Sequence, residues 1–446
     1  MLEPNVIPKT EPHLRVGLFL PEDGAKRVRM QLSNALDYSL QSNEGEKTAL
    51  IPGGFLEFAI MTDGVIALID GQTKGVSSRW RIMPAAEQLR PREGITVKGV
   101  IAGRGFHWKK TIDATYSGVL EISQNGQALM VVNELLLEHY LACVATSEMG
   151  AACPTALIES QTIVARSWML ANIEMKHRKL GIDVCNDDCC QRYQGTTFLT
   201  EQSLQGALST YGQVLLYGDR ICDARYSKSC GGVSESFENV WDGQPVPYLD
   251  AIVDASEGFQ DSALPLDSEE KVRAWLEKVP AVYCSSHLLP EKELIKYLGN
   301  VDEEGTYFRW RFVYTQKEMT ALLNLKLDLK AEAIQAILPV KRGKSGRLIE
   351  VRVVYYTQEG KREFVIKDQY TIRDSLHELF LYSSAFVVDT ESDGGAVPTK
   401  FILKGGGWGH GVGYCQIGAL SMALRGHTTA AILQHYYPGA QLIKIY

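Results

Sequence analysis

No stretch of this sequence approaches the roughly 18 to 20 unbroken apolar residues that a membrane-spanning helix needs. Positive charge is not in excess either. The 46 Lys and Arg stand against 53 Asp and Glu, a formal net charge of -7, which excludes a chain built to bind nucleic acid or an anionic membrane surface through clustered cations. The opening Met1-Leu2-Glu3-Pro4-Asn5 has neither the basic region nor the apolar core of a secretory signal, so no export signal is expected in the chain as it stands. Internal repeats and low-complexity tracts are also missing.

What is present is the composition of a soluble globular protein. The 446 residues, 45% hydrophobic and 22% charged, suffice for two or three units with cores of their own. Nine cysteines is an odd count, and Cys189 and Cys190 are adjacent, which suits no tidy disulfide framework. Some thiols are therefore expected to be reduced or metal-bound. Cys143 and Cys222 lie in apolar stretches and read as small buried hydrophobes.

Patterning predicts an α+β protein of two lobes, with mixed short sheets, a central helix and a cleft between the lobes. A β-rich first part is expected over 14–130, from short apolar or alternating runs at Leu14 to Leu20, Phe55 to Leu68, Arg79 to Met83 and Gly118 to Ile122. A core over 131–256 follows, with a helix from Asn133 to Ala145, a break at Ser147 to Cys153, and a longer helix from Pro154 to about Lys179. Within it a hairpin is expected from Val214 to Tyr226, turning at Gly218-Asp219. The second lobe, 257–399, carries Phe308, Trp310, Phe312 and Tyr314 in strict alternation and a hairpin from Leu348 to Ile366. The aromatic stripe reads as a packed sheet face before it reads as a sugar platform. Residues 400–446 bring a Gly-dense loop, Gly405 to Gly418, a helix near Ile417 to Leu424 and a last strand back to the core.

Several residues stand out for chemistry. Glu148 lies in the break between two helices, flanked by Val144, Ala145 and Met149; a helix-start carboxylate favoured by the dipole of the helix at Pro154 is its structural reading. Arg166 falls mid-helix among Ile163, Val164, Trp168 and Met169, so an inward guanidinium needs an anionic partner, a ligand carboxylate or a buried ion pair. Tyr226 and Lys228 offer an aromatic ring and a cation beside the bend at Gly231-Gly232, and His410 and Gln416 offer polar groups on a loop whose glycines permit close approach. Cys185, Cys189 and Cys190 form a compact thiol cluster with His177 just upstream, a candidate closed tetrahedral zinc site or a set of free or redox-active thiols. Cys415 beside Gln416 reads as a small residue and not as a nucleophile.

The segment Tyr140-Leu141-Ala142-Cys143-Val144-Ala145-Thr146-Ser147-Glu148-Met149, followed by Ile163-Val164-Ala165-Arg166-Ser167, resembles the stage II sporulation protein D and amidase enhancer family. The likeness continues through Asp183-Val184-Cys185 to Gln191, Tyr226 to Trp241, Pro247-Tyr248-Leu249, Ser345-Gly346-Arg347, Ile372-Arg373, Leu381 to Phe386, and Gly409 to Ala419. It therefore runs from about Leu14 to Tyr446. The resemblance implies a lytic transglycosylase that cuts the N-acetylmuramic acid to N-acetylglucosamine bond of peptidoglycan, on strands stripped of stem peptides, without water. The muramic acid's own 6-hydroxyl then replaces water as nucleophile and leaves a 1,6-anhydro end, so one carboxyl, Glu148, can serve as acid and then base where hydrolytic glycosidases need two. That requires Glu148 protonated near neutral pH, hence partly buried.

By the same likeness Arg166, Tyr226, Lys228, His410 and Gln416 would bind glycan. His177, Cys185, Cys189 and Cys190 would hold one structural zinc, although some family members have a histidine where this chain has Cys189. No organic cofactor is expected. The implied partners are peptidoglycan strands and a cell-wall amidase, and the implied location is the cell envelope or outside the cell. The rival reading is a non-enzymatic glycan-binding enhancer of an amidase.

Overall fold

A computed structural model describes the whole chain except residues 5, 105–108, 172 and 299–305. The fold is α+β and divides into two compact units. The first comprises Met1–Asp223, Lys296–Asp302 and Gln441–Tyr446; the second comprises Ala224–Ile295 and Glu303–Ala440. Against boundaries expected at 130, 256 and 399, the division falls after Asp223. The Tyr226 stretch and the Gly-dense loop thus pack in the second unit, and of residues 400–446 only the end, Gln441–Tyr446, belongs to the first.

Two sheets dominate the first unit. A seven-stranded sheet runs Val184–Cys185, His13–Phe19, Ala128–Leu136, Val119–Asn125, Arg79–Pro84, Tyr38–Ser42, Lys47–Leu50, and a six-stranded sheet centres on Ile95–Ala102, Arg27–Gln31 and Phe55–Met61. Alternation explains the burial: Leu14, Val16 and Leu18 are fully buried, as are Val65 and Ala67, and they join one core with Phe58, Ile82 and Val97. The expected run from Phe55 to Leu68 is a hairpin of two strands, Phe55–Met61 and Gly64–Ile69. The edge strand Val184–Cys185 pairs in parallel with Val16 and Gly17.

Strand Ala128–Leu136 passes directly into helix α1, Leu137–Glu148. The expected helix start at Asn133 gives way to strand because the Asn133 amide donates to the Ser117 and Val119 carbonyls at 2.8 and 3.1 Å and accepts from the Tyr193 hydroxyl at 2.7 Å. Among α1 residues only His139 escapes full burial, the pattern of a central helix. Helix α2, Thr155–Ala171, starts after Pro154 as expected but stops well before Lys179. Met175 adopts a left-handed backbone (φ 45°), which an α-helix does not tolerate, and Gly181 then closes a short 3₁₀ turn, Arg178–Leu180. Helix α3, Glu201–Leu208, is capped by Thr200, and the hairpin at Gly218-Asp219 forms with strand Gln213–Tyr217, whose other neighbour is Gln441–Lys444.

In the second unit, strands Arg309–Thr315, Lys400–Gly406 and Phe386–Glu391 form one sheet, and Ala333–Arg342, Leu348–Thr357 and Gly360–Lys367 another. Trp310 is buried in the core these sheets share, with Phe312 and Tyr314 packed against it, so the aromatic stripe is a packed face. A two-residue parallel bridge joins Tyr226–Ser227 to Tyr414–Cys415, directly ahead of the helix Gln416–Leu424.

Candidate functional site

Glu148 ends α1, and the break follows it instead of containing it. It is 7% exposed, and Val144, Ala145 and Met149 beside it are buried. The negative end of the α1 dipole does not favour an anion at this position. The side chain instead accepts the Arg192 backbone N–H on Oε1 at 2.9 Å.

That amide is held in place by residues 191–194, which run along α1. The Gln194 N–H donates to Ser147 Oγ at 3.0 Å, Ser147 donates in turn to the Cys143 carbonyl at 2.8 Å, and the Gln191 amide bridges the Tyr140 hydroxyl and the Ala165 carbonyl. Asp188 receives Nε and Nη2 of Arg192, both at 3.1 Å. Burial raises the Asp188 carboxyl above its usual range; Arg192 opposes that, and the nearby Glu148 charge adds to it.

The same loop carries the thiol cluster. His177 Nε2 and the sulfurs of Cys185, Cys189 and Cys190 all lie within 4.8 Å of one another. Cys189 Sγ is the hub, 3.0 Å from Cys185, 3.6 Å from His177 and 4.0 Å from Cys190. Hydrogen bonds from Cys185 and Cys190, and then from His177, hold the Cys189 thiol well below its usual range. These separations scatter around the edge of about 3.8 Å that Zn–S bonds of about 2.3 Å set for a tetrahedron, so the donors fit a metal ion. Asp187 anchors the loop by accepting the Gly103 and Arg104 amides at 2.9 and 2.6 Å.

Arg166 makes the buried ion pair that was one of its two readings. Its guanidinium is fully buried and donates from Nε to Glu138 Oε1 at 2.8 Å, from Nη2 to Glu138 Oε2, and from Nη1 to the Gln213 carbonyl at 2.9 Å. Its charge is met by an internal pair, the structural alternative that the sequence left open beside a ligand carboxylate.

Within the second unit the Tyr226 stretch and the Gly-dense loop do meet. Beyond the parallel bridge, Ser229 and Trp408 exchange both backbone hydrogen bonds, and the Ile417 N–H donates to the Lys228 carbonyl at 3.1 Å. Tyr226 is half-buried, Lys228 is 9% exposed and Gln416 only 2%. His410, half-buried, accepts the Val412 N–H on Nδ1 at 3.0 Å and meets the Trp241 ring edge-on at 4.9 Å. Burial, then the charges of Arg225, Arg373 and Arg347, hold its imidazole well below the usual value, so it is neutral. Gly411 (φ +79°) lies where any Cβ would overlap the buried Arg347 guanidinium, which is why the loop needs glycine there.

Comparison with known proteins bears on the same residues. A family model described as Stage II sporulation protein matches residues 125–217, which contain Glu148 and three of the clustered cysteines, and one described as a domain of unknown function (DUF8618) matches 235–413. The chain is 25% identical over 307 residues to the amidase enhancer of Bacillus subtilis, across 67% of this chain and 39% of that protein. It is 23% identical over 326 residues to the stage II sporulation protein D of Bacillus subtilis, across 70% of this chain and 75% of that protein. The chain is thus similar to the stage II sporulation protein D and amidase enhancer family, whose model covers residues 125–217. An uncharacterized protein of Brachyspira hyodysenteriae is 24% identical over 328 residues, across 74% of this chain and 72% of that one.

Three residues that shape the site went unmarked in the sequence. Glu138 neutralises Arg166, and Asp188 and Arg192 stand beside Glu148. The four-residue spacing of Asp188 and Arg192 next to paired cysteines is the signal that could have marked those two. Among the described residues no helix is long and apolar enough to cross a membrane.

Proposed function

We propose that this protein cleaves peptide-stripped peptidoglycan strands between N-acetylmuramic acid and N-acetylglucosamine without water, with Glu148 as acid and then base. The observation that carries the reading is the seat of Glu148, nearly closed off at the end of a buried helix with a backbone N–H on one carboxyl oxygen. Glu148 donates its proton to the glycosidic oxygen as the C1–O bond breaks. The resulting carboxylate, steadied by the Arg192 N–H, takes the proton of the muramic acid 6-hydroxyl while that oxygen bonds to C1 and closes the 1,6-anhydro ring. The proton lost by the carboxyl is thereby regained, and no water is consumed.

In this reading Tyr226 and His410 contact sugar, Lys228 attracts the lactyl carboxylate, and Gln416 shapes the loop from below. A zinc ion held by His177, Cys185, Cys189 and Cys190 supplies folding free energy to the loop that presents the Arg192 amide, and no Lewis acidity. The cell envelope is the expected place of action, and a cell-wall amidase the expected protein partner, following the relative named amidase enhancer.

The test is digestion of peptide-free glycan strands read by mass spectrometry. Wild-type protein should release 1,6-anhydro ends, and Glu148→Gln should lose at least about 100-fold of that activity while keeping its fold. A wild type that releases none, yet stimulates an added amidase as well as Glu148→Gln does, would establish the enhancer reading instead.

A further inference from the structure

The second unit holds a group of metal-ligating side chains that the proposed glycan chemistry does not use. Cys230, Asp254, Cys284 and Cys415 each offer one atom, these atoms all lie within 4.8 Å of one another, and all four residues are buried. The four come from separate stretches of chain that only folding brings together. We propose that they form a second metal centre, a closed tetrahedral site of three thiolates and one carboxylate suited to zinc.

Geometry argues for a metal and against a disulfide. The Cys230 and Cys284 sulfurs are 3.6 Å apart, close to the tetrahedral edge of about 3.8 Å set by Zn–S bonds of about 2.3 Å. A Cys230–Cys284 disulfide would draw those sulfurs to about 2.05 Å and leave Cys415 and Asp254 converging on nothing. The carboxylate is already turned towards the thiols, with Asp254 Oδ2 at 3.4 Å from Cys230 Sγ while it accepts the Cys284 N–H at 3.2 Å.

The surroundings are those of metal-bound thiolates. Backbone N–H groups point at the sulfurs: Cys230 and Gly418 donate to Cys415 Sγ at 3.2 and 3.4 Å, and Gly232 donates to Cys230 Sγ at 3.4 Å. Such donors stabilise negative sulfur and are wasted on neutral thiols. The other Asp254 oxygen is oriented by the Tyr436 hydroxyl at 2.7 Å, with His435 Nε2 at 3.5 Å. A Cβ at Gly418 would overlap both the Tyr436 hydroxyl and the Asp254 carboxylate, so only glycine lets this amide approach. Binding releases the three thiol protons to solvent, leaving a dianionic centre. The buried Arg347 guanidinium, on the Cys230 carbonyl at 3.1 Å, lies beside it as countercharge.

The centre would fasten Cys230, just after Tyr226 and Lys228, to Cys415, just before Gln416. It would hold those two stretches in register whether or not the protein cuts glycan.

Metal analysis of the full chain purified without added metal should find about two zinc ions in wild type, about one in Cys189→Ser or Cys284→Ser, and none in the double variant. If Cys284→Ser does not fold, cobalt(II) in the Cys189→Ser protein decides: tetrahedral d–d absorption with a thiolate charge-transfer band supports the site. A single ion that survives Cys189→Ser and leaves with Cys284→Ser sustains this centre and overturns the first. Metal-free Cys189→Ser protein without those cobalt bands, or a Cys230–Cys284 disulfide in the intact wild type, overturns the proposal.

Discussion

Helix α1 carries a buried glutamate at each end, and their surroundings give them opposite roles. Glu138 sits in the first turn, where the dipole favours it, and takes Arg166, the Gly212 N–H and the Tyr446 hydroxyl. Every partner is internal, so Glu138 is structural. Glu148 sits where the dipole offers nothing and takes a loop amide. Removing one member of a buried ion pair leaves the other charge uncompensated, so Arg166→Met should cost about 3–5 kcal/mol in urea unfolding. Glu138→Gln combined with Arg166→Met should recover part of that loss. A single-variant cost under about 1 kcal/mol would show the pair to be solvent-relieved and return Arg166 to candidacy as a ligand-binding group. The Ser147-Glu148 motif was legible because its residues are adjacent in the chain, although the Arg192 and Gln194 amides that meet it are not. The role of Arg166 was not, because its partner lies a helix away.

At the scale of elements, local pattern carried well wherever local contacts decide. Strand His13–Phe19, the hairpin Leu348–Thr357 to Gly360–Lys367 and the helix Gln416–Leu424 all fall where alternation, turn residues or spacing put them. It carried less well at junctions. Asn133 to Leu136 have apolar neighbours at helical spacing yet continue a strand, since the Ser117 carbonyl and the Tyr193 hydroxyl satisfy the Asn133 amide on both sides. Two glycines on either side of the helix Gln416–Leu424 show the same division between local and tertiary causes. Gly426→Ala, at φ +86° with nothing near its Cβ, should cost only the left-handed backbone, about 1–2 kcal/mol. Gly411→Ala must also displace the Arg347 guanidinium and should lose clearly more in thermal unfolding. Equal losses would mean that Arg347 moves aside freely.

On the scale of the whole molecule, the chain leaves the first unit at Asp223 and ends in it again with Gln441–Tyr446. Strand Gln441–Lys444 pairs antiparallel with Gln213–Tyr217, and the Tyr446 hydroxyl reaches Glu138 at 2.8 Å. Truncation after Ala440 should therefore weaken the half of the protein farthest from the cut in sequence. Hydrogen exchange at α1 amides should speed up while the strands Leu348–Thr357 and Gly360–Lys367 keep their protection. Unchanged exchange in α1 would show the last strand to be dispensable.

Motif and composition, read alone, determined the family resemblance, the α+β class, the candidate glutamate and the cysteine group around Cys189, because each is written in residues close along the chain. Only the tertiary structure decided that Arg166 is spent on Glu138, that Arg192 offers its amide to Glu148, and that Cys230, Asp254, Cys284 and Cys415 converge. Those relations join segments far apart in sequence, and only the packing of the core determines which buried charge or sulfur meets which partner.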